Sequence, residues 1–264
     1  MKGSFRAWLM TLLTESVLFP SLSARKKMAF RYLHGTGLEI GALQHPLEAP
    51  PGVVVRYVDY VTREENIRRY PHLDASRIVI TDHIDNGFEL STFHHNSQDF
   101  IIANHVLEHA PNPLQTLLNW NSVLKKNGIL FITLPNGSKN FDQGRGITSL
   151  EHMVKDYEQV RNGELEQFER NNREHYREFV EISIPNLNKM RHRRPMTEKR
   201  KEEYLEKLVE EQSIDAHFHV FTNKSIQQLC NYLIATYAHD VSLVESVRSR
   251  FGHEYVLVLK KRNS

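Results

Sequence analysis

Ser97-Gln98-Asp99-Phe100-Ile101-Ile102-Ala103-Asn104-His105-Val106-Leu107-Glu108-His109 changes character halfway along. A short apolar run ends abruptly in polar residues, and Asn112-Pro113 then opens a helix. The pattern reads as a buried strand delivering side chains to the carboxyl edge of a sheet. Open α/β folds bind their ligands at that edge.

The same alternation extends in both directions. Upstream, Gly37 to Gly41 reads as a strand and tight turn, and Val53 to Asp59 as a second strand ending in an acid. Thr62 caps a helix, Glu65 completes a capping box, and Pro71 stops it. Arg77 to Thr81 is expected to be a third strand, followed by Asp82. Downstream, Asn112 caps a helix that Asn127-Gly128 is expected to end, and Ile129 to Leu134 is a fifth strand. Thr222 caps a helix to about Ala238; Val241 to Val247 and Glu254 to Lys260 then suit an antiparallel hairpin. Strands alternating with helices predict an α/β fold, doubly wound around a mostly parallel seven-stranded sheet.

The 264 residues, 40% of them hydrophobic, suit one large domain or one domain with an insertion. A net charge of +2 implies no global attraction to nucleic acid. The single cysteine, Cys230, excludes an intramolecular disulfide and favours a reducing, cytoplasmic setting. Phe5, Trp8, Leu9, Leu12 and Leu13 recur at helical spacing, so residues 1–34 read as a helical lead-in that packs on the domain. Thr11, Thr14 and Glu15 interrupt the run, which is too short to span a bilayer. A membrane-surface helix is the alternative. Residues 35–135 are the expected ligand-binding core, and 216–264 its C-terminal part. Between them, 136–215 is charged and helical in pattern, with Thr148 to Glu151 a second capping-box candidate. It reads as an insertion after the fifth strand, lying over the ligand edge as an acceptor lid.

Acids at successive strand ends suit a ligand with an amine and a ribose. Glu39 can orient an amino group, Asp59 can accept from two ribose hydroxyls, and Asp82 can accept from an adenine amine. S-adenosylmethionine offers all three groups; the plainer reading is that the acids cap helices and turns. A dinucleotide would require glycines after Gly41, but Leu43 and Pro46 stand at the second and third glycine positions. That disfavours a nicotinamide-dependent oxidoreductase.

With these residues in view, the chain resembles the class I S-adenosylmethionine-dependent methyltransferases. Leu38-Glu39-Ile40-Gly41 resembles the family's first motif, and the Asp99 to Pro113 segment its "D-x-hydrophobic…V-L-E-H…P" pattern. The resemblance implies a Rossmann-like fold and S-adenosylmethionine as cofactor, held by Glu39, Gly41, Asp59, Asp82 and Asn104. Asn140-Phe141-Asp142, Arg145, Thr148, His152, Asp156 and His217-Phe218-His219-Val220 are similar to methyltransferases of bacterial surface-polysaccharide synthesis. One departure stands out: Pro46, Pro50 and Pro51 make the family's usual first crossover helix unfavourable.

A hydroxyl acceptor must lose its proton, and a positioned base typically contributes about 10²–10⁴-fold. Nucleobase amine methylases often carry Asn/Asp-Pro-Pro-aromatic where this chain reads Asn104-His105-Val106-Leu107. Histidines His105, His109, His152, His217 and His219 crowd the expected edge instead. O-methylation of a sugar or glycoconjugate is therefore expected, with His109, His152, Asp156 and His217 as catalytic candidates. Each has a plainer alternative: His109 bonding the loop after the strand, His152 and Asp156 tying one helical face, and His217 a satisfied structural histidine. No metal is assigned. His105-Val106-Leu107-Glu108-His109 matches a zinc-protease pattern, but it follows a strand and ends before Pro111. Some related quinone-pathway O-methyltransferases hold a divalent cation near this position, which His105, Glu108 and His109 leave open. Arg191, Arg193 and Arg194 form the main basic patch, either a solvated helix end or a contact for phosphate or anionic lipid. A second reading of the whole chain is an inactive adaptor that keeps the fold and binds a partner through 136–215.

Overall fold

The computed structural model describes residues 24–249 and 251–263, so the helix expected around Trp8 lies outside the described residues. Seven strands form one sheet: β1 (Thr36–Ile40), β2 (Val54–Asp59), β3 (His83–Ile84), β4 (Gln98–Asn104), β5 (Leu124–Pro135), β6 (Val241–Arg248) and β7 (Glu254–Lys261). Their order is β3-β2-β1-β4-β5-β7-β6. The first five strands pair in parallel, and β7 runs antiparallel to both β5 and β6. This is the doubly wound, Rossmann-like sheet expected from the sequence.

Side-chain alternation distributes the core between two faces. Ile101, Ala103, Leu130, Ile132, Leu257 and Leu259 face α3 (Pro113–Val123) and α8 (Asn223–Thr236). Phe100, Ile102, Ile129, Phe131, Val256 and Val258 face the other way, against Ala29 and Leu33 of the α1 region (α1, Ala24–Tyr32). Central strands covered on both sides explain the unbroken apolar runs in the sequence. The first crossover, residues 41–53, has no helix, as its three prolines require. Leu47 and Val53 from that crossover join α1 in covering the sheet.

Three caps form where the sequence places them, although the Glu65 carboxylate meets Arg68 and closes no capping box with Thr62. Thr62 accepts from Glu65 N at the start of α2 (Arg63–Arg69), and Asn112 accepts from Gln115 N at the start of α3. Thr222 and Ser225 form the capping box of α8. Two expectations are corrected. The third strand is His83–Ile84, not 77–81: Val79 N instead donates to Leu43 O in the first crossover, and Ile80 faces solvent. Helix α3 stops at Val123 because Leu124 already pairs with Gln98; Asn127, at φ +63°, turns within β5.

The insertion contains α4 (Leu150–Asn162), α5 (Leu165–Glu178), a π turn (Phe179–Ser183), α6 (Ile184–Met190) and α7 (Glu198–Glu210). Ser149, rather than Thr148, caps α4. Met153 and Tyr157 of α4 enter the main core. Tyr176, Phe179, Val180, Leu205, Leu208, Ala216 and Phe218 build a separate small core. The insertion is thus anchored through one helix and stabilised by its own apolar cluster.

Candidate active site

The strand order reverses between β1 and β4, and open α/β folds bind ligands at the carboxyl ends of the strands at such a point. Gly41 closes β1 at φ +63°, and a Cβ there would meet nothing nearer than Val106 Cγ2 at 3.9 Å. Glycine therefore serves the left-handed turn and leaves the tip of β1 uncrowded. Behind it, Glu39 is fully buried. Leu47 N donates to both of its carboxylate oxygens at 3.0 Å, and Asn104 Nδ2 donates to Oε1 at 3.0 Å. Thr133 Oγ1 donates to Asn104 Oδ1 at 3.0 Å, extending the chain to β5. Glu39 and Asn104 thus fold the loop that follows β1, and any effect on a ligand amine passes through that loop.

Burial pushes the Glu39 carboxyl up to about 7, against the pull of the Leu47 and Asn104 hydrogen bonds and of Arg25. Its ordinary value is 4.5, so between those two pH values the folded state holds more protons than the unfolded chain. This contribution to stability falls as pH rises through the window, by at most about 1.4 kcal/mol per pH unit. Glu39→Gln should flatten that slope, so urea melts at pH 5 and pH 7.5 will show the variant gaining on the wild type. Parallel losses in both proteins would contradict the assignment.

Asp59 ends β2, half-buried, with the Asn66 side chain, Tyr60 N and Val61 N near its carboxylate. Burial raises its pKa, opposed by those groups and by Arg69. Asp82 does not follow the third strand but precedes it. Its Oδ2 accepts from Tyr57 N at 2.8 Å, which ties the sheet edge rather than facing the crevice. The acid after β3 is Asp85, which binds Thr92 N and Oγ1 at 2.9 and 2.7 Å and shapes its own loop. The loops after β2 and β3 are joined by Tyr60 Oη donating to Asn86 Oδ1 at 2.9 Å. Gly87 packs so closely on Ile40 that a Cβ would collide with it. A carboxylate on β2, an uncrowded turn after β1 and two joined loops fit the ribose, amino-acid and adenine parts of S-adenosylmethionine.

His105 follows β4 at φ +54°, with its side chain 37% exposed. Its Nε2 lies 3.1 Å from Glu254 Oε2, and its Nδ1 lies 3.5 Å from Glu108 Oε1. Burial would raise the Glu254 carboxyl, but Arg25 and His105 overcome it and hold the pKa down at about 2. Glu108 is fully buried, and neither of its oxygens has a hydrogen-bond partner among the described residues. Burial raises its pKa against the opposing charges of His105 and His217.

The four expected catalytic residues divide between two clusters. His109 pairs through Nδ1 with Ala216 O at 3.1 Å, and burial beside His217 pushes it down to about 3. An imidazole so weakly basic is a poor proton acceptor at neutral pH, so His109 ties the turn after β4 to the end of the insertion. His217 Nδ1 lies 2.6 Å from Asp142 Oδ2. Burial would raise Asp142, yet His217, Ser183 and Arg145 hold it down at about 2. In the second cluster, His152 Nε2 lies 3.1 Å from Asp156 Oδ2, so the pairing on one helical face is formed. His175 and His219 join that pair. Nothing local in the sequence marks His175, which is buried on α5 beside Tyr176. Arg193 lines a groove of about 500 Å³ with Lys189 and Lys201, whereas Arg191 and Arg194 are not among its lining residues.

Residues 27–231 match a family model described as a methyltransferase domain. A stretch of 74 residues is 38% identical to a highly reducing polyketide synthase, ALT1, of Alternaria alternata. That stretch is 28% of this chain and only 3% of the synthase. A possible histamine N-methyltransferase from Thermotoga maritima is similar over 99% of this chain and 100% of its own, at 14% identity and a TM-score of 0.45. A putative S-adenosylmethionine-dependent methyltransferase from Methanococcus maripaludis is similar over 100% and 94%, at 12% identity and a TM-score of 0.45. The plantazolicin methyltransferase BamL, solved with SAH, is similar over 99% and 90%, at 11% identity and a TM-score of 0.49.

Proposed function

This chain belongs to the methyltransferase-domain family, and from that premise we propose that it methylates an oxygen of a hydroxylated acceptor such as a sugar or glycoconjugate. It is an S-adenosylmethionine-dependent enzyme. The bound cofactor supplies a methyl carbon activated by its sulfonium. In-line placement of the acceptor is the main demand on the protein, and orientation alone can lower the barrier by about 7–11 kcal/mol.

The observation that carries the oxygen-directed reading is His105. It is half-exposed beside the tip of β4, while His109 and His217 are engaged in buried contacts. With Nε2–H donated to Glu254, the lone pair of Nδ1 is the one that can take a hydroxyl proton. Glu108 Oε1, 3.5 Å from Nδ1, is the acid nearest to that nitrogen. The cofactor, when bound, would supply the carbon that the acceptor oxygen takes and the sulfur that leaves. Lys189 and Arg193 in the groove favour an acceptor that carries phosphate or another anionic group, while Lys201 there is already paired with Glu181 and Glu198.

His105→Asn tests the reading, because asparagine tolerates the left-handed backbone at this position. Turnover of labelled S-adenosylmethionine with hydroxylated glycosides should fall by about 10²–10⁴-fold while cofactor affinity stays unchanged. Methylation of amine acceptors alone, or full activity in the variant, would overturn the proposal.

A further inference from the structure

Four side chains from three parts of the chain converge. They are His152 and Asp156 on α4, His175 on α5 and His219 on the segment before α8, and one ligand atom from each lies within 4.8 Å of the others. We infer that they form a binding site for a divalent transition-metal ion of the zinc class, which clamps the 136–215 insertion to the segment returning to the core.

The distances suit such an ion. His152 Nε2 lies 2.9 Å from His175 Nε2 and 3.1 Å from Asp156 Oδ2. Zinc bonds of about 2.0–2.1 Å in a tetrahedron set neighbouring ligand atoms roughly 3.3–3.5 Å apart, so these atoms need to separate only slightly. Two ring nitrogens facing each other require a shared proton, and a cation at their junction removes that requirement.

Unmatched lone pairs point the same way. Asp156 Oδ2 is buried and receives no hydrogen bond among the described residues; its contact with His152 is an ion pair only when that ring is protonated. His219 Nδ1 is also buried without a hydrogen-bond partner, while its Nε2 lies 3.4 Å from Pro111 O. Donation from Nε2 to that carbonyl leaves the Nδ1 lone pair free for a metal. Asn171 Nδ2 donates to Asp156 Oδ1 at 3.1 Å and to Gln159 Oε1 at 2.9 Å, which orients the carboxylate from behind. Three imidazoles with one carboxylate favour zinc-class ions over magnesium or calcium, which prefer oxygen donors. The His152 side chain is 37% exposed and gives the ion a way in.

Glu108, His109 and His217 also converge, but less suitably. They offer three ligand atoms where the first cluster offers four.

The test titrates the untagged full chain, stripped with a chelator, with zinc sulfate alone. One zinc should bind per chain and raise the melting temperature, and cobalt(II) should give the visible bands of a tetrahedral site. His175→Ala and His219→Ala should weaken zinc binding by roughly a hundredfold or more. His152→Gln, at the exposed ligand, keeps the test open should the buried variants misfold, and should weaken binding at least tenfold. No stoichiometric uptake by the wild type would overturn the inference. So would uptake that survives in a folded ligand variant, or that is lost only in His217→Asn.

Discussion

Asp59→Ala should bind S-adenosylmethionine about a hundredfold more weakly than the wild type. Two charge-assisted hydrogen bonds from ribose hydroxyls, at roughly 1.5 kcal/mol each, sum to about 3 kcal/mol. The carboxylate stands at the tip of β2, where burial leaves it costly to ionise and therefore receptive to further donors. Alanine also removes the carboxylate from beside Asn66, Tyr60 N and Val61 N, so Asp59→Asn is the companion variant. Asparagine keeps one carbonyl acceptor and should fall between the two. Titration calorimetry reads both affinities, and a circular-dichroism melt establishes that each variant is folded. Unchanged affinity in folded Asp59→Ala would remove the ribose from this residue.

The largest loss of stability is expected from Arg145→Met. The Arg145 guanidinium is fully buried; Nη1 donates to Asp142 Oδ1 at 3.1 Å and to His217 O at 2.7 Å, and Nη2 donates to Phe218 O at 3.0 Å. It holds the loop after β5 against the segment that leads back to α8. Removing one partner of a buried pair costs about 3–5 kcal/mol; His217 and Ser183 still meet Asp142, but the His217 and Phe218 carbonyls lose their donor. That corresponds to a fall in melting temperature of roughly 10 °C for a chain of this size. An exposed pair such as Arg170–Glu166, 62% and 92% exposed, is worth about 0–1 kcal/mol and serves as the control. Urea denaturation compares the two; equal, small losses would show that Arg145 does not hold the insertion. Arg145→Lys should be intermediate, since lysine keeps the charge but lacks the planar fork.

Local signals in the sequence were reliable where local physics decides the outcome. The β4 run is continuous because both its faces are covered, and the caps at Thr62, Asn112 and Thr222 depend only on residues within one turn. The prolines of the first crossover excluded its helix for the same reason. Long-range pairing decided the misses. The Ile78–Ile80 run has strand composition, yet Val79 is drawn to Leu43 and only His83–Ile84 pairs with β2. With the strand displaced to His83–Ile84, Asp82 precedes it and Asp85 is the acid that follows. His217 and His219 meet different parts of the insertion, His217 pairing with Asp142 and His219 packing against His175. His175 stands 23 residues from His152, and nothing in their spacing announces that the two rings meet. The left-handed turn that presents His105 is likewise a tertiary outcome, because a histidine seldom adopts it unaided.

A crystal structure of the full chain grown with saturating S-adenosylhomocysteine tests the central claim most directly. Density should place the ribose hydroxyls on the Asp59 carboxylate, the amino-acid end against the turn at Gly41, and the sulfur on the side of the crevice that His105 faces. Ligand density away from the carboxyl ends of β1, β2 and β4, or none at a saturating concentration, would contradict it.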